Sequence, residues 1–224
     1  MNSIASKKTF EQNFNAQTSF EHGSKAAELA LNLGRTAMYF ANIKRIPRFA
    51  DGRRENDAEH SYMLALVAPE IAKALELNLD TGLIVQLAIV HDLIELKTGD
   101  IPTYLFDEAD QNAKERSEHA VLEELKKELP PHTAAMLELY EQQTTAEAHF
   151  VRYVDKLLPI VIDVVGAGRK VMNEDYGVET MEQLKQCNDE LHMRITSKFG
   201  NEFPALDLAH KLLLELFEDG FELQ

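Results

Sequence analysis

The sequence predicts an all-helical fold in a single compact domain. Three observations lead there. Apolar residues recur at gaps of three and four along most of the chain, strand-like alternation is nearly absent, and only 10 Gly and 7 Pro punctuate 224 residues. With 45% hydrophobic residues, the chain can bury a core that needs no cross-links. Residues 1–22 read as a polar lead-in, their phenylalanines scattered rather than gathered into an apolar signal segment, and residues 23–224 read as the domain. The first helix is expected over residues 24–43, where Ala27, Leu29, Ala30, Leu33, Ala37, Met38 and Phe40 keep helical spacing. Pro47, Asp51 and Gly52 then break the pattern in a loop that carries Lys44, Arg45, Arg48, Arg53 and Arg54. Helical spacing returns over residues 58–77. It resumes behind Asp80, a natural N-cap, and runs to about Lys97, where Thr98-Gly99 reads as a stop. Further amphipathic stretches cover residues 108–129, 133–140, 145–172, 179–199 and 204–217, parted by Pro130-Pro131, Gly177 and Gly200.

Charge and cysteine usage narrow the function. Thirty-eight Asp and Glu against 23 Lys and Arg leave a formal charge of −15, which argues against a partner as anionic as long nucleic acid. Cys187 is the only cysteine, so an intrachain disulfide framework and Cys-clustered metal sites are excluded. The uncharged run Thr81–Val90 is ten residues long. A membrane helix needs roughly 20, so no membrane association is expected, and the default compartment is the cytoplasm. No Walker A, GxSxG or GxGxxG motif occurs, and Gly166-Ala167-Gly168 lacks the preceding strand of a dinucleotide site.

The residues that carry chemistry are polar groups in apolar surroundings. His91-Asp92 ends the run LIVQLAIV, where a carboxylate needs a compensating partner. A buried His–Asp hydrogen bond and a metal both satisfy that need, and the dipeptide alone does not distinguish them. His60, in ENDAEHSYMLAL, and Asp155, in FVRYVDKLLPIVI, each replace an apolar residue at a position of the helical period. Together the four make a two-His, two-Asp set suited to one divalent ion: Mn, Co, Fe, Mg or Zn. Asp163, two turns beyond Asp155, shares its face and suits a supporting role. The remaining histidines and the acidic helix faces read as surface, and Cys187 has no base beside it.

His60, His91-Asp92 and Asp155 together resemble the H…HD…D signature of the HD-domain metal-dependent phosphohydrolases. KRIPRFADGRRENDAEHS followed by HDLIELKTGDIPT resembles the branch that contains the bacterial 5'-deoxynucleotidases and their eukaryotic HD-domain relatives. The similarity runs over residues 44–162. It implies an all-helical fold, a divalent metal held by His60, His91, Asp92 and Asp155, and removal of phosphate from nucleoside 5'-monophosphates by metal-activated water. Glu95 matches the catalytic glutamate, which orients the water or moves a proton. Asp100 matches a second carboxylate beside the substrate, for proton transfer or sugar contact, and Arg45 matches the phosphate-binding arginine. Ile46 stands where the bacterial enzymes carry a tryptophan against the sugar, so deoxy preference is left open. Arg53 is a lesser candidate for contact, whereas Arg48 and Arg54 read as solvent-exposed charges. The implied partner is a small nucleotide, and relatives of this kind often associate as homodimers. Hydrolysis of a signalling nucleotide such as guanosine tetraphosphate is disfavoured, because Glu95 and Asp100 are separated rather than adjacent. A silent nucleotide-binding module is disfavoured because all four ligand candidates, Glu95, Asp100 and Arg45 are intact.

Overall fold

The computed structural model describes the backbone of residues 3–99 and 120–223, with side chains over residues 18–99 and 120–221. The chain divides into two compact units, Met1–Tyr39 and Phe40–Gln224. Helix α1 (Ser3–Phe40), all but its last residue, lies in the first, and so does the stretch read as a polar lead-in. Helix therefore begins well upstream of residue 24. No proline interrupts this stretch, and its Lys, Glu, Gln and Ala residues favour helix whether or not an apolar face is present.

The second unit opens with the one departure from helix among the described residues. Strands β1 (Lys44–Arg48) and β2 (Arg54–Asn56) pair antiparallel where the sequence suggested only a loop. The turn explains the pairing. Gly52 adopts φ 82°, a left-handed conformation that favours glycine, and its N–H donates to the Phe49 carbonyl at 2.8 Å. Asp51 accepts from the Arg53 N–H at 2.9 Å. Pro47 is tolerated because a two-stranded ribbon consists only of edges.

Helices α2 (Asp57–Ala74), α3 (Thr81–Val90), α4 (Glu95–Thr98), α5 (residues 120–128) and α6 (Pro131–Gln142) follow. Helices α7 (Ala146–Val165), α8 (Gly168–Tyr176), α9 (Met181–Ile195) and α10 (Pro204–Leu223) complete the unit, with a π turn at Thr196–Gly200 before α10. Thr145 and Thr180 cap α7 and α9 by accepting backbone N–H groups. Helix α7 is the central element and packs against α2, α3, α8, α10 and β1. Its Phe150, Tyr153, Leu158 and Ile160 are fully buried together with Leu64, Ile84 and Leu87. Each such side chain contributes about 1.5–3 kcal/mol of transfer free energy. Among the described residues, no helix is long and apolar enough to cross a membrane.

The hairpin is fastened to the α7–α8 junction. Ala167 donates its N–H to the Arg48 carbonyl at 3.0 Å. The backbones approach so closely that a Cβ on Gly166 would lie 2.3 Å from that same oxygen. The Arg48 guanidinium reaches Glu174 at 2.6 Å and Asp175 at 2.7 Å, and Arg54 reaches Asp175 at 2.5 Å. Arg48 and Arg54 are thus structural clamps between the hairpin and α8, not the solvated charges expected from the sequence. Arg53 pairs with Glu59 at 2.9 Å and lies over the Phe49 ring.

Candidate functional site

Each element delivers its functional side chains for a local reason. Strand β2 runs directly into α2 through a capping box: Asn56 accepts from the Glu59 N–H at 3.0 Å, and the Glu59 carboxylate accepts from the Asn56 N–H at 3.1 Å. This entry angle aims Glu55, Asp57 and His60 inward, and all three are fully buried. Helix α3 ends at Val90 instead of continuing to about Lys97. The His91 Nδ1–H bonds back to the Ala88 carbonyl at 2.9 Å, and the next three bonds are of the tighter i→i−3 kind: Leu93 to Val90, Glu95 to Asp92 and Leu96 to Leu93. Glu95 therefore starts the separate helix α4 instead of sitting one straight helical turn beyond His91. Asp155 comes from the middle of α7, and Arg45 with Ile46 from β1, where both are half-buried.

The four residues of the H…HD…D pattern converge. His60 Nε2 lies 2.8 Å from Asp155 Oδ1, His91 Nε2 lies 2.9 Å from Asp92 Oδ2, and His91 Nε2 lies 3.7 Å from Asp155 Oδ1. Donor atoms of His60, His91 and Asp92 fall within 4.8 Å of one another, and those of Asp57, Asp92 and Glu95 do likewise. Arg45 joins them, with Nη1 at 2.8 Å from Asp92 and 3.4 Å from Asp57 and Nε at 3.3 Å from Glu55. The Tyr140 ring stands edge-on to His91 at 5.7 Å and closes one side. Asp100 lies outside the described residues.

The electrostatics call for a cation at this point. With Nδ1–H committed to the Ala88 carbonyl, the buried Nε2 of His91 faces the carboxylates of Asp92 and Asp155 without a well-formed hydrogen bond. Burial works to lower the imidazole's pKa, but the adjoining Asp92 and then Asp155 outweigh it and raise the pKa to about 10. Asp92 and Asp155 are held well below the usual carboxylate range against their own burial, Asp92 chiefly by His91 and Arg45, and Asp155 chiefly by Lys156 and His60. The two carboxylates thus favour a positive charge at Nε2, a proton when no ion is bound; a divalent ion in that place would leave a neutral imidazole among ionised carboxylates, the donor set a borderline ion takes, so the residues present fit such an ion.

Three contributors were not singled out in the sequence. Glu55 and Asp57 flank Arg45, and Lys156 sits 2.6 Å from the second oxygen of Asp155. The N-x-x-E spacing of Asn56 and Glu59 was a legible capping signal, and it would have placed Asp57 in the first turn. No comparable signal exists for Glu55 or Lys156, whose roles come from chain crossings. Asp163 is buried, and burial followed by the nearby Glu55 charge pushes its pKa up to about 7. The folded value exceeds the unfolded one, so the stability this group provides is full below about pH 4 and is lost as pH rises through 7. Asp163→Asn removes the cost of ionising a buried carboxyl. The variant is expected to melt higher than wild type at pH 8, by at most about 4 kcal/mol, with the difference closing below pH 5. Thermal melts across that range test the sign.

Comparison with known proteins gives a consistent picture. The HD domain family model matches residues 40–196. The 5'-deoxynucleotidase HDDC2 of Xenopus laevis is 32% identical over 144 residues, which cover 58% of this chain and 69% of that protein. A 5'-deoxynucleotidase of Erwinia tasmaniensis is 30% identical over 135 residues, covering 53% of this chain and 68% of its own length. Among solved structures, a predicted metal-dependent phosphohydrolase from Magnetospirillum magnetotacticum superposes with a TM-score of 0.64 at 26% identity, covering 86% of this chain and 95% of that one.

Proposed function

Because the chain belongs to the HD domain family, we propose that it is a metal-dependent phosphohydrolase that removes phosphate from nucleoside 5'-monophosphates, deoxynucleotides among them. The observation that carries this reading is His91, its Nδ1 tied to Ala88 and its Nε2 left among Asp92 and Asp155. Relatives named 5'-deoxynucleotidase support the substrate class. In this reading His60, His91, Asp92 and Asp155 hold one divalent ion. When bound there, such an ion would supply Lewis acidity toward a phosphoryl oxygen and a lowered pKa for the attacking water.

The protein's own groups do the rest. Arg45 presents a planar fork to the phosphate oxygens and offsets the repulsion of the surrounding carboxylates. Glu95 lies within reach of Asp92 and Asp57. There it orients the water and takes its proton or passes one to the leaving 5'-oxygen. Asp100 is assigned to the sugar side or to proton transfer. Ile46 offers the sugar an apolar surface that makes no hydrogen bond to a 2'-hydroxyl.

A phosphate-release panel of ribo- and deoxyribonucleoside 5'-monophosphates, each with Mn, Co, Fe, Mg or Zn, tests the reading. Release is expected from members of the deoxy series and is expected to stop when a chelator is added. Absence of release from every monophosphate with every metal would refute it.

A further inference from the structure

Glu55 is a buried carboxylate that the proposed reaction does not use. It is fully buried, and neither of its oxygens makes a hydrogen bond. A carboxylate in that condition is costly unless charge compensates it. Two cationic or protonatable groups face it from two different elements: Arg45 Nε of β1 at 3.3 Å and His60 Nδ1 of α2 at 3.6 Å, both toward Oε2. From α7, Asp163 also lies close enough to feel its charge.

Each of these groups is engaged on its other side by the candidate site. The His60 ring has Nε2 against Asp155 Oδ1 at 2.8 Å. With its proton on Nε2 the ring donates to Asp155, and the bare Nδ1 lone pair then faces the Glu55 carboxylate at 3.6 Å without a hydrogen bond. An ion held by Nε2 together with His91 and Asp92 would require that proton to sit on Nδ1 instead, where the Glu55 charge faces it favourably. The Arg45 fork has Nη1 on Asp92 and Asp57, so Glu55 at Nε fixes the opposite edge of the guanidinium plane.

We infer that Glu55 is a positioning residue that sets two groups at once, the Nδ1–H tautomer of His60 for the metal ion and the plane of the Arg45 guanidinium for the substrate phosphate. The Arg45 half rests on the phosphohydrolase reading, whereas the His60 half needs only metal binding. A carboxylate behind a metal-bound imidazole typically contributes 10–100-fold in metal affinity.

Glu55→Gln keeps the shape and removes the charge. By Co²⁺ titration followed in the visible spectrum, its affinity is expected to fall about 10–100-fold. Its KM for a nucleoside monophosphate is expected to rise at saturating metal, and Glu55→Asp is expected to recover part of both. An unchanged Co²⁺ affinity in a Gln variant that melts like wild type overturns the His60 half, and an unchanged KM overturns the Arg45 half. Nitrogen-15 spectra of the zinc-loaded wild-type protein decide the tautomer without any variant: His60 Nδ1 is expected to carry the proton, and a bare Nδ1 overturns the proposal even if the variants fail to fold. If the phosphohydrolase reading itself is wrong, wild type releases no phosphate while the Gln variant still loses Co²⁺ affinity, so the two failures are distinguishable.

Discussion

Asp92→Asn is expected to abolish phosphate release while leaving the helical fold in place. Asp92 joins the two halves of the site, with one carboxylate oxygen 2.9 Å from His91 Nε2 and 2.8 Å from Arg45 Nη1. An amide is nearly isosteric but carries no charge, so it neither balances a divalent ion nor anchors the guanidinium as an ion pair. The loss should exceed the roughly 100-fold that removing a ligand's outer hydrogen-bond partner costs. The fold should persist because the Arg45 charge still has Glu55 and Asp57 beside it, and the core of α7 does not involve this side chain. Phosphate release with the metal that best supports wild type, read beside a circular-dichroism melt, checks both statements. Turnover at the wild-type rate would remove Asp92 from the metal set.

Gly166→Ala is expected to destabilise the protein strongly and to impair its site. The added Cβ would stand 2.3 Å from the Arg48 carbonyl oxygen and 2.6 Å from the Ile162 carbonyl oxygen. Both are backbone atoms, and neither can rotate away as the end of a flexible side chain does. Relief requires β1 to move off the α7–α8 junction. That breaks the bond from Ala167 N–H to the Arg48 carbonyl and disturbs the Arg48–Glu174–Asp175 pairs. Overpacking of this kind costs about 1–3 kcal/mol where side chains can yield, so the cost here should lie at or above the upper end. Because β1 also carries Arg45, activity should fall further than stability alone explains. The comparison is Gly220→Ala, where a Cβ meets nothing within 4 Å and helix propensity predicts neutral or improved stability. Equal melting temperatures for Gly166→Ala and wild type would contradict the close approach.

Much of the helical architecture was legible because helix period is a local property. Asp80 acts as the cap its position suggests, and Pro130-Pro131 marks the start of α6. The hairpin was not legible. Five residues and three residues are too short to display alternation, and what holds them is the turn at Gly52 together with α8. The end of α3 was missed for a related reason: the run LIVQLAIV continues naturally into HDLIEL, yet at His91 the ring bonds back to Ala88 and the chain tightens into i→i−3 bonds.

The sequence by itself determined the residue types that a metal-dependent site needs, and the apolar surroundings that make His60, His91 and Asp155 unusual as polar groups. Tertiary structure alone decided that the His60 and Asp155 side chains meet across 95 positions, and those of Arg45 and Asp92 across 47. It also decided that Glu55 backs two of the functional groups and that Asp163 titrates near 7. The physical reason is one of range. Backbone periodicity reports on neighbours a turn or two away, whereas Coulomb interaction and desolvation act through space and depend on which distant segments the fold brings together.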